Sequence, residues 1–129
     1  MRKSSLIGIL LVLLCSCVQT KTEITTLDIT QFDADTAENG ILIDVRTPEE
    51  YAEGHLPNAI NIDVKDESFA EKMDEIKKNK NVYLYCKTGK RSAKAVAIAD
   101  TLGFKNIYNL DGGFMSWKEA GKVVEKASN

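Results

Sequence analysis

The apolar positions fall into short runs whose period switches between that of a strand and that of a helix. Ile41-Leu42-Ile43, after Gly40, and Val82-Tyr83-Leu84-Tyr85 are continuous apolar stretches of strand length, the pattern of strands covered on both faces in a parallel sheet. Ile24 to Leu27 alternates weakly and predicts an edge strand, Ala59 to Ile62 a brief strand, and Asn106 to Leu110 the last one. Helical spacing recurs between them. Phe69, Met73 and Ile76 put one apolar stripe on a surface helix, with Ser68 and Glu71 in capping-box spacing and Lys77, Lys78 and Lys80 at its end. Ala93, Ala95 to Ala99 and Leu102 leave so few polar positions that this helix is expected to be heavily buried, with Gly103 as its C-cap. Phe114 to Ala120, carrying Trp117, predicts a final helix.

Two further helix starts are marked. Thr47-Pro48-Glu49-Glu50 combines a capping threonine, proline at the first helical position and glutamate three residues after the cap, so a short helix should run to Glu53 before Gly54 and Pro57 break it. Thr30, with Asp33 three residues on, suggests the N-cap of a modest helix ending near Asn39-Gly40. Residues 122 to 129 are expected to fray. Strand and helix alternate throughout, which gives an α/β fold with a mostly parallel central sheet flanked by helices.

Composition adds scale and location. A chain of 129 residues, 43% hydrophobic and 28% charged, has room for one globular domain with a real core. The formal net charge is −2, and without the first 16 residues, which hold Arg2, Lys3 and no acid, it is −4. That balance gives no reason to invoke nucleic acid. Arg2 and Lys3 followed by the apolar stretch Leu6 to Leu14 form the n- and h-regions of a targeting segment too short to span a bilayer as a helix. Leu14-Cys15-Ser16-Cys17 resembles a bacterial lipoprotein signal cleaved before Cys17, and Val12-Leu13-Leu14-Cys15 is a poorer match, since the residue before the lipidated cysteine is usually small; an ordinary cleaved signal peptide or a short anchor is the other reading. The organisation expected is a signal peptide over 1–16, lipidated Cys17 and a tether over 17–23, a folded domain over 24–121 and a tail over 122–129. The domain would then be exported and lipid-anchored to a membrane, in the cell envelope or periplasm or at the cell surface. Cys86 would be its one remaining thiol, with no intramolecular disulfide available.

The chemistry concentrates in Cys86-Lys87-Thr88-Gly89-Lys90-Arg91-Ser92, which joins an apolar strand to an apolar helix. Backbone N–H groups converge at such a junction and make an anion site. The same field, with Lys87, Lys90 and Arg91, favours thiolate over thiol and so a nucleophilic Cys86. A free cysteine is more often a small buried hydrophobe, but three basic residues within five positions argue against an apolar pocket here.

This loop is similar to the active-site loop of single-domain rhodaneses, which reads Cys-x-x-Gly-x-Arg-Ser. The resemblance extends to Ile43-Asp44-Val45-Arg46-Thr47-Pro48-Glu49-Glu50-Tyr51, to Gly54-His55-Leu56-Pro57-Asn58-Ala59-Ile60-Asn61, and to Leu110-Asp111-Gly112-Gly113 with Trp117, in family order over about residues 24 to 121. It implies a rhodanese-like sulfurtransferase without cofactor, in which Cys86 takes the outer sulfur of a donor such as thiosulfate as a persulfide and passes it to cyanide or a thiol. The backbone of Lys87, Thr88, Gly89, Lys90 and Arg91 would cradle the persulfide. A module that delivers persulfide to a protein acceptor is a second reading. A phosphatase or arsenate reductase is a third, though those loops hold five residues between cysteine and arginine and this one holds four.

Asp44 and Arg46 stand where a strand gives way to a loop, the edge at which open parallel sheets bind ligands. Asp44 could pair with Arg46 or with Arg91, supporting the loop or serving structure alone. His55, the single histidine, is expected to be structural or supporting, and Tyr51 and Trp117 to be core or rim aromatics. No cysteine and histidine cluster has metal-ligand spacing, so no metal is expected.

Overall fold

The computed structural model describes residues 12–15, 21–33, 35, 37 and 40–128, and in it the two continuous apolar runs lie side by side near the middle of one sheet. Strands β1 (Glu23–Asp28), β2 (Gly40–Asp44), β3 (Ile60–Asn61), β4 (Asn81–Tyr85) and β5 (Asn106–Asp111) are ordered β1-β5-β4-β2-β3, and every pairing is parallel. Helices α1 (Pro48–Glu53), α2 (Phe69–Asp74), α3 (Lys90–Asp100) and α4 (Gly113–Glu119) flank it.

The period of two sends alternate residues of the central strands to opposite faces. Ile43, Val45, Val82, Leu84 and Cys86 point to one face, where Phe69 and Met73 of α2 and Ala95 and Ala99 of α3 close over them. Leu42, Tyr85 and Leu110 point to the other, beneath Ile29, Phe32, Leu56, Ala59 and Trp117 of α4. Ile43, Val82, Leu84 and Ile107 have no exposed surface, and burial of each such side chain is worth roughly 1.5–3 kcal/mol.

Four expectations are corrected. Helix α3 is buried along one stripe only, through Ser92, Ala95 and Ala99, while Ala93 and Ala97 face solvent. Alanine is a strong helix former whether or not it is covered, so the run of alanines signals helix rather than depth. Thr30 is not an N-cap: Asp28 is, its carboxylate accepting from the Thr30 amide at 2.9 Å over a 3-10 turn, Ile29–Gln31, and the described residues from there to Gly40 contain no longer helix. Ser68 does not cap α2 through its side chain; its amide and hydroxyl both donate to Asp66 at 2.8 Å.

The fourth correction concerns the chain after α4, which is a docked strap. Glu125 and His55 exchange two backbone hydrogen bonds at 2.8 and 2.9 Å, the Ala127 amide donates to the Ala52 carbonyl at 3.3 Å, and the Trp117 indole donates to the Val123 carbonyl at 2.8 Å. Val124 packs beside Gly54, whose missing side chain leaves the room. Thr47 caps α1 as its sequence predicts, accepting from the Glu50 amide at 3.3 Å with Pro48 at the first helical position.

Candidate active site

Cys86 is the first residue past β4, at the carboxyl edge of the sheet, and α3 begins four residues later at Lys90. The intervening turn requires Gly89 at φ +126°, a conformation that disfavours any side chain. The turn directs backbone amides inward. The Gly89 N–H donates to Sγ at 2.9 Å, and the Ser92 hydroxyl lies 3.6 Å from the sulfur. Burial, with only 1% of Cys86 exposed, would by itself push the thiol up. The Ser92 hydroxyl and the backbone N–H groups of Ser92, Gly89 and Thr88 outweigh that, so the thiol is held below its ordinary value. The arrangement stabilises a sulfur anion by hydrogen bonds rather than by contact with a cation.

The basic residues of the loop divide. Lys87 and Lys90 are exposed. Arg91 is engaged in a two-point ion pair, its Nη1 and Nη2 donating to the Glu50 oxygens at 2.6 and 2.9 Å. That fork, with the Thr47 hydroxyl and against a burial penalty, pulls Glu50 down to about 2. Glu50 was visible in the sequence only as a capping residue. Its link to Arg91 spans 41 positions, which local spacing does not reveal.

Asp44 pairs with Arg46, not with Arg91. The Arg46 Nε and Nη2 fork the Asp44 carboxylate at 3.0, 3.1 and 2.6 Å, and Nη2 also reaches the Gly54 carbonyl at 2.6 Å. The Tyr85 hydroxyl donates to Asp44 at 2.8 Å while accepting from the Leu56 amide at 3.1 Å. Arg46 also lies over the Phe114 ring, 4.2 Å from its centroid. This buried network fastens β2, β4, the end of α1 and α4 together directly beside the loop.

Helix α4 supports the loop from the other side. The Phe114 and Met115 amides donate to the carbonyls of Cys86 and Lys87 at 2.8 and 3.1 Å. The approach is possible because residue 113 is glycine: at φ +64°, a Cβ there would stand 2.5 Å from the Lys87 carbonyl oxygen and 2.6 Å from that of Cys86. His55 stacks on Tyr51 with ring centroids 3.8 Å apart and bonds through Nδ1 to the Tyr51 carbonyl at 2.8 Å. Its contacts are with Tyr51 and the strap, not with Cys86. Among the described residues no cluster of His, Cys, Asp or Glu could hold a metal, and no helix is long and apolar enough to cross a membrane. Cys17 and all of the signal segment except 12–15 lie outside the described residues.

The same combination of sheet, loop and closing helix occurs in known proteins. The model of the rhodanese-like domain matches residues 28–120. A protein of Allochromatium vinosum named sulfurtransferase is 36% identical over 102 residues, covering 79% of this chain and 92% of that protein. A tRNA uridine(34) hydroxylase of Buchnera aphidicola is 35% identical over 91 residues, 66% of this chain but 28% of the hydroxylase. The crystal structure of a rhodanese-related protein from Thermoplasma volcanium superposes with a TM-score of 0.70 at 29% identity, covering 80% of this chain and 99% of that one.

Proposed function

We propose, because this chain belongs to the rhodanese-like domain family, that it is a thiosulfate-type sulfurtransferase working through a persulfide on Cys86. The observation that carries this reading is the sulfur itself, held at 2.9 Å from the Gly89 amide and below the ordinary thiol range by hydrogen bonds from the loop. The Cys86 thiolate attacks the outer sulfur of thiosulfate, a new S–S bond forms, and the old one breaks with its electron pair leaving on sulfite. The persulfide anion that remains occupies the same field of N–H groups. Cyanide or a thiol then attacks its terminal sulfur and returns Cys86 to thiolate. Lys87 and Lys90, exposed at the mouth of the loop, favour approach of a dianionic donor.

The commitment of Arg91 to Glu50 weighs against phosphoryl chemistry, which needs an arginine free to grip the equatorial oxygens. Delivery of the persulfide to a protein acceptor is the second reading. It is favoured by the occurrence of a similar stretch as a minor part of a protein named for a different reaction. The proposal extends to the N-terminus: Leu14-Cys15-Ser16-Cys17 after an apolar segment supports export and lipid attachment at Cys17, tethering the domain to a membrane of the cell envelope.

The test is intact-mass measurement after exposure to thiosulfate. Cys86 should gain one sulfur atom, cyanide should remove it as thiocyanate, and Cys86→Ser should neither gain sulfur nor turn over. Turnover in the serine variant comparable to the parent would overturn the assignment, and faster hydrolysis of an aryl phosphate than sulfur transfer from thiosulfate to cyanide would replace it.

A further inference from the structure

Arg91 stands in the first turn of α3, directly after the Cys86 turn. Its bond to Glu50 raises the guanidinium, burial lowers it, and the charges of Cys86 and Asp44 raise it further, so Arg91 lies within electrostatic reach of the sulfur. A guanidinium in that place is suited to grip any oxyanion that enters the mouth of the loop. Instead both of its Nη atoms are occupied by the two oxygens of Glu50, at 2.6 and 2.9 Å. Glu50 is itself firmly placed. The Thr47 hydroxyl donates to its Oε1 at 3.1 Å, the neighbouring Tyr51 hydroxyl donates to the Ala59 carbonyl at 2.7 Å, and the Gly54 carbonyl that follows α1 accepts from Arg46 at 2.6 Å. The fork with Arg91 pulls the Glu50 carboxyl down to about 2, so it is ionised throughout the neutral range.

A carboxylate held at two points on a partly buried guanidinium stands where an incoming oxyanion would bind. To take its place, a sulfate or phosphate ion has to break the fork and then sit beside the carboxylate it displaced, a repulsion between like charges at close range. The N–H groups around Sγ are untouched by this competition, since they come from the backbone of the turn. We propose that Glu50 sets the anion specificity of the loop: by occupying Arg91 it denies plain tetrahedral oxyanions their two-point grip and leaves recognition to a sulfur that can enter the ring of N–H groups. Specificity is a difference of affinities, and here it is obtained by weakening the unwanted ligand. Glu50 acts through Arg91 and is a positioning residue. The inference rests on the sulfur-transfer reading for the identity of the favoured ligand, while the exclusion of oxyanions stands on the ion pair.

Sulfate is the probe, at ionic strength held constant with sodium chloride, and the full chain is used. Its binding is read as protection of Cys86 from iodoacetamide and as inhibition of sulfur uptake from thiosulfate. Glu50→Gln keeps the shape of the side chain and frees Arg91, so the half-protecting sulfate concentration and the inhibition constant should both fall about tenfold, as expected for hydrogen bonds gained by a charged ligand. Glu50→Gln combined with Arg91→Gln should return both to the parent's values. Denaturant midpoints confirm that each variant is folded, and Glu50→Asp, whose shorter carboxylate cannot span the same fork, is read in place of a glutamine variant that does not fold. Equal protection by sulfate in the parent and the single variant overturns the proposal. A gain that survives in the double variant overturns it as well, since the added affinity would then not come from Arg91. Sulfur uptake followed by mass judges the underlying reading separately: without uptake that reading fails, while protection from alkylation still decides the role of Glu50.

Discussion

The Ser92 hydroxyl, fully buried, stands between two acceptors, 3.0 Å from the Gly89 carbonyl and 3.6 Å from the Cys86 sulfur. With Cys86 protonated, the S–H donates to Oγ and the hydroxyl proton goes to Gly89. Once the thiol ionises the hydroxyl can rotate onto the sulfur, and the Gly89 carbonyl keeps a donor, the Ala93 amide at 3.2 Å. The hydroxyl follows the charge without leaving a bare backbone oxygen behind. Ser92→Ala should therefore raise the Cys86 pKa and move the pH profile of alkylation upward by about one to two pH units, since a hydrogen bond to a charged group is worth roughly 1.5–3 kcal/mol. Rates of iodoacetamide modification across pH measure this, and an unmoved profile would show that the backbone amides act alone. Cys86 and its flanking lysines are legible in the sequence because their chemistry is local. Arg46 is legible as a partner of Asp44 for the same reason, standing two residues away. Glu50 is not, because a carboxylate in a helix cap carries no mark of the arginine it will meet from another element.

At the scale of elements, the site depends on how closely α4 approaches the loop, and that distance is fixed by one missing side chain. Gly113→Ala would place a methyl group 2.5 Å from the Lys87 carbonyl oxygen in a backbone conformation that also resists a side chain. Helix α4 would have to back away, breaking the bond from the Phe114 amide to the Cys86 carbonyl. The expected cost is about 2–4 kcal/mol of stability, read from denaturant midpoints, together with a large fall in sulfur transfer. A variant with the parent's midpoint and rate would show that α4 does not set the loop. The central strands β2 and β4 are readable from continuous apolar runs, and the α1 cap from threonine and proline together. At Thr30 and Ser68, where capping differs from what spacing predicts, the cause is the same: a carboxylate two residues upstream, Asp28 or Asp66, accepts from both the amide and the hydroxyl of the residue that spacing nominates. A better acceptor nearby takes over the role.

At the scale of the whole molecule, a well-packed domain carries a further segment at each end, and the two raise different questions. Nothing in the charged composition of residues 122 to 129 announces the strap, because its partners are backbone groups of His55 and Ala52 and a gap left by Gly54. The other end is a matter of location. Cys17→Ser should lose the lipid and move the protein from the membrane to the soluble fraction, and an unmodified Cys17 in the mature native protein would contradict anchoring. The α/β class follows from alternation along the chain, but strand order does not, since parallel pairing joins segments far apart in sequence. The edge strand β1 is the clearest case: Glu23 pairs with Asn106, and among the described residues β5 is the one strand that pairs with β1. Closing so long a loop costs chain entropy before any contact repays it. During synthesis β1 leaves the ribosome first among the described strands and its partner β5 leaves last, so the oldest strand of the domain waits unpaired until every strand between them has been made.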